Sequence, residues 1–363
     1  MCDRAADDGE ILGLLAAAHP TQRRPTLLLA AVHYLLLAGT DSPLADLYPT
    51  VATWRRDGPG GRGRALLTPP SSHRPSREGW YSEFAGFCRT HRDLIEDLLA
   101  TRSTQTNEIG RCSGLLLALG TIARHCSVPL SVIDLGASAG LNLLFDRYSY
   151  TYSVEGGAEC RLIHAGDPTS AVRLQAGFRS RSPLVPELPE VSWRAGIDLT
   201  PVNPADEDDA LWLLACQWPE HLDRFIRLDA ALALSRTIPD RKVVAGDLVA
   251  DLGSIVSEAP ADTHLCIMHT WVAAYLSEER QRQLAEQVAK IAASRSLSWL
   301  YAEEPYESPG LPTPPSPDPR PEEAKGATAV VLTEYTRGHS VGPWRIADMH
   351  PHGRWVHWWG RPV

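Results

Sequence analysis

The sequence predicts an α/β protein with a mostly parallel, Rossmann-like sheet behind a helical N-terminal domain. Three observations carry this. The stretch Ser131-Val-Ile-Asp-Leu-Gly-Ala-Ser-Ala-Gly-Leu-Asn-Leu-Leu-Phe145 reads as a buried strand, a turn of small residues and an apolar helix. Four later apolar runs, Val191–Asp198, Lys242–Asp247, His264–His269 and Ser298–Glu304, each end in an acid or a polar residue, with helical patterns between most of them. The C-terminal stretch then carries closely spaced strand patterns separated by turn residues.

Composition narrows the function classes. The chain has 363 residues, 44% of them hydrophobic, and a net charge of −9. That charge disfavours nucleic acid and anionic membranes as partners. No run approaches the ~20 apolar residues of a membrane helix. The acidic start Met1-Cys-Asp-Arg-Ala-Ala-Asp-Asp-Gly-Glu10 has no signal-peptide pattern. The seven cysteines are scattered and form no CxxC, which argues against a disulfide framework or a zinc-thiolate site and for a reducing cytoplasm.

Taken in order, residues 10 to about 126 read as helical, so the domain boundaries are set at 1–126 (a helical cap) and 127–363 (the sheet domain). Ile11 to Leu15 starts an amphipathic helix, and Thr26–Leu37 is apolar all round, as a buried helix is. Arg55–Arg64 and Pro69–Arg77 read as loop, the first basic enough to attract an anion or simply solvated. Tyr81–Leu99 reads as one helix. Gln105-Thr-Asn-Glu-Ile-Gly-Arg111 is a polar strip leading into the apolar helix Leu115–Ile122. It is either a helix start capped by Thr106 or Asn107, or a strip folded over a ligand through Gln105, Asn107, Glu108 and Arg111.

Gly136, Ala137, Ser138, Ala139 and Gly140 lack bulk, so their N–H groups can approach a ligand at the N-terminus of the following helix. Residues 150–190 read as a partly irregular insertion. Asp198 ends the second strand, where ribose hydroxyls bind in doubly wound folds. Leu211–Leu234 is helical, with Pro219 expected in a first turn. Arg224 and Arg227 share a face, either to bind an anion or to pair with Glu220, Asp223 or Asp229. Asp247 closes the third strand, His269 the fourth. The Pro-rich stretch 305–321 reads as a mobile loop or lid. Ala329–Tyr335, Trp344–Met349 and Trp355–Trp359 read as antiparallel hairpins at a sheet edge.

This series of strands resembles a class I S-adenosylmethionine-dependent methyltransferase over residues 130 to 363. The resemblance implies a methyltransferase-type sheet and S-adenosyl-L-methionine as cofactor. It places the methionine part at Asp134, Gly136, Ser138 and Gly140, the ribose at Asp198 and the adenine at Asp247. Ser138 stands where that family usually has glycine, which narrows the turn. More closely, the chain resembles the bacterial family DUF2332 through Gln105-Thr-Asn-Glu108, Gly136-Ala-Ser-Ala-Gly-Leu-Asn142, Arg194-Ala-Gly-Ile-Asp198, Trp218-Pro219, Gly246-Asp247 and the His269 region. Asn142 is counted with the cofactor-binding residues on that ground.

The reading that follows is methyl transfer to a small-molecule acceptor, governed by positioning of the two reactants. His269 is the candidate base, or else a buried histidine that holds its loop. Glu303 either orients a substrate amine or hydroxyl or pairs with an arginine. Trp271 and Tyr275 face the sulfonium or substrate through cation–π contact, or are core aromatics. No metal site is expected. Two other classes stay open. Gly136-Ala-Ser138-Ala-Gly140 matches the G-x-S-x-G elbow of serine hydrolases, with Ser138 as nucleophile and His350 or His352 as a partner. The chain also fits a noncatalytic, nucleotide-binding Rossmann module.

Overall fold

The computed structural model describes residues 7–57, 77–156, 159–180, 186–238, 241–317 and 326–361. Contacts divide the chain into two units, Met1–Thr106 with Val202–Arg236, and Asn107–Pro201 with Thr237–Val363. In chain order the helices are α1 (Gly9–Leu14), α2 (Pro25–Leu37), α3 (Pro49–Asp57), α4 (Arg77–Thr90), α5 (Arg92–Thr101), α6 (Cys112–Arg124), α7 (Glu207–Ala215), α8 (Leu222–Ser235), α9 (Leu252–Glu258) and α10 (Glu278–Ala292).

The first unit is helical and holds α1–α5, α7 and α8. Asp8 caps α1 by accepting the N–H groups of Glu10 and Ile11. Helix α2 starts with Pro25 in its first turn and is buried almost all round. His33 at its centre is bound on both sides: Nδ1 lies 3.0 Å from the Ala215 carbonyl and 3.1 Å from that of Gln217, and Nε2 lies 2.8 Å from Thr50 Oγ1. Trp212 Nε1 donates to the Ser103 carbonyl at 2.9 Å, and Arg102 meets Asp209 at 2.8 Å. These bonds draw 202–236 into the helical unit.

The observed division therefore differs from a boundary at 126. Helix α6 belongs to the sheet unit, where Tyr152 Oη donates to the Ser113 carbonyl at 2.7 Å and Gly114 gives its space to Met349. The helical reading of 81–99 holds in kind but breaks at His91, whose backbone leaves the helical region. Pro219 lies in the turn before α8 instead of opening it. Of the loop readings 55–64 and 69–77, residues 55–57 end α3 and Arg77 opens α4, and the rest lies outside the described residues.

The second unit carries one eleven-stranded sheet. Its strands are β1 (Leu130–Leu135), β2 (Ser149–Gly156), β3 (Glu159–Gly166), β4 (Arg173–Ser180), β5 (Val191–Asp198), β6 (Lys242–Ala245), β7 (His264–Thr270), β8 (Leu297–Glu303), β9 (Thr328–Thr336), β10 (His339–Met349) and β11 (Trp355–Trp358). They lie in the order β3-β2-β4-β11-β10-β9-β8-β7-β1-β5-β6. The block β6-β5-β1-β7-β8 is parallel throughout. Numbered among themselves, its strands run 3-2-1-4-5, the order of a Rossmann-like sheet. β1 is buried along its length, as a central parallel strand is. Ile133, Leu135, Ile197, Ile267 and Trp299 form a core with α9 and α10 on one face.

Four expectations are corrected here. The segment after β1 is a seven-residue 3-10 helix, Leu141–Arg147, with a break at Leu144, and not an α-helix. Side chains take the carbonyls that an α-helix needs: Tyr148 Oη binds that of Leu141, Tyr150 Oη that of Phe145, and Arg194 that of Leu143. The 150–190 segment contributes strands β2, β3 and β4 and extends the sheet. The C-terminal strands accordingly lie inside the sheet, because β11 pairs in parallel with β4. Residues 305–317 of the Pro-rich stretch are pinned. Gln281 donates to the Glu307 carbonyl and accepts the Gly310 N–H, and Leu311 is buried in the core. Residues 318–321 lie outside the described residues.

Burial lowers the pKa of His33 from 6.5 to about 4, against the opposing effect of the two carbonyls. The folded state thus holds a neutral ring, while the unfolded chain takes up a proton below 6.5. Stability is complete above that pH and declines as pH falls toward 4, by at most about 1.4 kcal/mol per pH unit. Denaturant unfolding at pH 7.5 and pH 5 should show this decline in the wild type, and a smaller one in His33→Gln.

Candidate functional site

The order of the parallel strands reverses at β1, which has β5 on one side and β7 on the other. Such a reversal opens a crevice beyond the C-terminal strand ends. The turn leaving β1 is fixed by backbone. The N–H groups of Gly136 and Ala137 both donate to the Ile197 carbonyl, and that of Gly140 to the Ala137 carbonyl. Gly136 and Gly140 have φ of 72° and 66°. A side chain at Gly136 would collide with Val272, and one at Gly140 with Val243. Ser138 adopts φ 51° without being glycine, and its N–H donates to Asp198 Oδ2 at 2.8 Å. These N–H groups bind within the unit, so the expectation that they cradle a ligand is corrected.

Carboxylates and amides converge on this turn. Asp198 Oδ1 also accepts the Thr200 N–H at 2.9 Å. Burial raises the Asp198 carboxyl, opposed by its two backbone N–H partners. Asp134, at the end of β1, is 2% exposed, and its Oδ2 has no partner among the described residues. Burial pushes its pKa to about 8, with Asp198 adding to the shift and Arg111 opposing it. Asn107 donates to the Ala137 carbonyl at 2.9 Å, and its Oδ1 is likewise buried without a partner among the described residues. Asn142 lies 3.4 Å from both Thr270 Oγ1 and Cys112 Sγ.

The strip Asn107–Arg111 lies over the strand ends. Arg111 is 4% exposed and donates to the carbonyls of Pro351 and Thr270 at 2.9 and 3.3 Å, and to Thr270 Oγ1 at 3.2 Å. Its guanidinium sits 5.5 Å from the Trp271 ring centroid. Trp271 also donates from Nε1 to Thr328 Oγ1 at 2.8 Å. Its cation–π partner is therefore an arginine of the chain itself. Gln105 belongs to the helical unit. Tyr275 closes a short 3-10 turn after β7 and is 61% exposed.

The structure corrects two further expectations. His269 is fully buried. Its Nδ1 lies 2.7 Å from Glu303 Oε1, and its ring stacks on Tyr301 at 5.3 Å. Register pairs it with Leu135 and Tyr301, whose side chains point into the core beneath α9 and α10. An imidazole with no exposed surface meets no substrate. Glu303 accepts the N–H groups of Val272 and Ala273 at 3.0 and 3.3 Å, so the pair anchors the loop that packs against Gly136. Asp247 is also engaged. It accepts the N–H groups of Val249 and Ala250 and meets Arg280 at 2.5 and 2.6 Å. Partial burial raises its carboxyl, but Ala250, Val249 and Arg280 outweigh that and hold it below its usual value.

Sequence reasoning passed over the roles of Arg241 and Arg194, and it named Glu108 without its partner. Arg241 donates to the Ala139 carbonyl at 2.7 Å from the far side of the turn. Arg194 clamps Asp146 through two bonds of 2.7 and 2.9 Å and so seats the 3-10 segment. Glu108, 3% exposed, lies 3.3 Å from His352 Nδ1. Only tertiary structure brings these residues together. Among the described residues no group of three or more His, Cys, Asp or Glu is placed to hold a metal ion, and no helix is long and apolar enough to cross a membrane.

The chain belongs to the DUF2332 family, described as an uncharacterized protein conserved in bacteria, which matches residues 1–358. No curated protein matches it. Among solved structures it is similar to the bifunctional kinase-methyltransferase WbdD, at 11% identity and TM-score 0.26, over 58% of this chain and 33% of that one. It is also similar to the trans-methyltransferase CalH in complex with SAH, at 11% identity and TM-score 0.28, over 89% of this chain and 90% of that one. The chain thus spans about a third of the length of WbdD.

Asp134 generates a stability prediction. Its folded pKa of about 8 lies above the ordinary 3.8. The folded state holds a proton that the unfolded chain releases, so stability falls as pH rises from about 4 to about 8 and levels off above. Asp134→Asn removes this dependence. Denaturant unfolding should show the variant more stable than the wild type at pH 8 and close to it at pH 4.

Proposed function

We propose that the chain binds S-adenosylmethionine in the crevice at β1 and transfers its methyl group to a small-molecule acceptor. The observation that carries the reading is that two buried acceptor atoms, Asn107 Oδ1 and Asp134 Oδ2, have no partner among the described residues and lie near the half-buried Asp198. An unpaired buried polar group costs about 1–3 kcal/mol. A ligand that brings an ammonium group would donate to these acceptors and add positive charge beside the Asp134 carboxylate, to which Arg111 already contributes. Each Asp198 oxygen accepts one backbone N–H and keeps a lone pair, which suits the two hydroxyls of a ribose. Asp247, tied to Arg280, is left out of this set.

The bound cofactor supplies an activated methyl group on a sulfonium. The chain's own contribution is orientation, which is worth up to ~7–11 kcal/mol of barrier. Asp134 and Asn107 fix one end of the ligand, Asp198 the middle, and the pinned loops after β7 and β8 border the place left for an acceptor. The net charge of −9 favours a small acceptor over a nucleic acid.

One observation favours a second reading. Ser138 holds a left-handed backbone in the turn that follows β1, three residues beyond Leu135, as the nucleophile of a hydrolase elbow holds one after its strand. Against it, the chain continues into a 3-10 segment and not into the helix of an elbow.

Calorimetry with S-adenosylmethionine and S-adenosylhomocysteine tests the proposal. The wild type should bind both. Asp198→Ala and Asp134→Asn should weaken binding about 10–100-fold, the worth of a charged hydrogen bond, whereas Asp247→Asn should leave it close to wild type. Absence of binding to either compound removes the methyl-transfer reading, and fluorophosphonate labelling of Ser138 would then favour the hydrolase. Binding without turnover on any acceptor would favour a noncatalytic module.

A further inference from the structure

Glu108 and His352 come from opposite ends of the sheet unit and meet at the crevice edge. β10 runs antiparallel to β9 and β9 antiparallel to β8, so β10 ends on the same edge as β1, β7 and β8. The turn after it, residues 350–354, therefore lies among the loops of the candidate site. Two glycines let the strip and this turn pack backbone against backbone: a side chain on Gly110 would collide with the His352 carbonyl, and one on Gly353 with the Gly110 carbonyl. Arg111 bolts the arrangement by bonding the carbonyls of Pro351 and Thr270 together.

This packing fixes the dyad. Glu108 accepts the Gly110 N–H through Oε1 at 2.9 Å, which turns Oε2 toward His352 Nδ1 at 3.3 Å. His352 N–H donates to His350 Nδ1 at 2.9 Å, so its backbone is held as well. Glu108 is buried, and the Nδ1 atom of His352 is closed to solvent and faces Oε2 without a formed hydrogen bond, yet the His352 side chain is 32% exposed. The exposed part therefore lies away from Nδ1, on the remainder of the side chain that includes Nε2. A buried carboxylate behind Nδ1 with Nε2 presented outward is the arrangement that makes an imidazole a proton acceptor. Apo distances in such pairs are often long. Asn107, whose Oδ1 faces the ligand crevice in the reading above, is the residue next to Glu108.

We propose that His352 is the general base of this site and that Glu108 is its positioning residue. This rests on the methyl-transfer reading. The acceptor's lone pair forms a bond to the methyl carbon, and the carbon–sulfur bond breaks with its electron pair left on sulfur. The acceptor's proton passes to His352 Nε2, Glu108 stabilises the resulting imidazolium, and the proton later leaves to water. The role assigned to His269 on sequence grounds passes to a residue that the solvent reaches.

Two measurements test the dyad. Long-range nitrogen–proton NMR on the intact chain reads the tautomer of neutral His352. The proposal expects the proton on Nδ1, facing Glu108, and loss of that single tautomer in Glu108→Ala, whose fold is checked by its unchanged backbone spectrum away from the strip. A proton on Nε2 in the wild type overturns it. Adenosylhomocysteine production from S-adenosylmethionine, with a bacterial small-molecule extract as acceptor source, reads the chemistry. His352→Asn should lose ~10²–10⁴-fold in rate while calorimetric affinity for S-adenosylmethionine holds. An unchanged rate in that variant also overturns the proposal. The Nδ1 tautomer without S-adenosylmethionine binding keeps the dyad and removes methyl transfer. Binding with the Nε2 tautomer does the reverse.

Discussion

The turn between β1 and the Leu141–Arg147 segment depends on the end of β5. The Ile197 carbonyl takes two N–H groups of that turn, and the Asp198 carboxylate takes a third. Without that carboxylate, Ser138 would hold its left-handed backbone against an unpaired N–H. The constraint propagates outward. A rigid turn gives Val272 a fixed surface at Gly136, and Val272 is held from behind by Glu303. On its other side the turn is backed by Arg241 and by Val243 of β6. Four strand ends are thus locked to one piece of backbone, and Asp134 sits beneath it with little freedom to escape burial.

Part of this was legible in the sequence. The five parallel strands were, because buried parallel strands read as short apolar runs and each ends in a residue that a core rejects. The small residues of the turn were legible too, since Gly136 and Gly140 take left-handed angles. The helix after the turn was not. Leu141, Leu143, Leu144 and Phe145 have the pattern of a helix, but Tyr148, Tyr150 and Arg194 compete for its carbonyls, and that competition exists only once β2 and β5 are in place. The membership of 202–236 was equally hidden. His33 selects the carbonyls of Ala215 and Gln217 across a separation that no local pattern records.

The acids that end the strands show why residue type and position do not fix a role. Asp134, Asp198, Asp247 and Glu303 all stand at one sheet edge, and their surroundings divide them. Asp247 has Arg280 and two N–H groups. Glu303 has His269 and two N–H groups. Both are satisfied and act as struts. Asp198 is half satisfied, holding the turn while keeping lone pairs. Asp134 alone of the four is buried with an oxygen that no described residue meets. Burial of that kind is tolerated only where something else depends on it.

The two histidine–glutamate pairs extend the same reasoning from binding to proton transfer. In both, a carboxylate faces Nδ1. In one the ring is sealed between Tyr301 and Trp299 and has no exposed surface. In the other the carboxylate is sealed and the ring is not. A base must exchange protons with both a substrate and water, so a fully enclosed imidazole fails however well it is oriented. The packing of Gly110 against Gly353 is what leaves His352 at the boundary. With a larger residue at either position the 350–354 turn would lift, and the ring would leave its carboxylate. Two glycines without any chemistry of their own thereby decide which histidine of this chain is able to act.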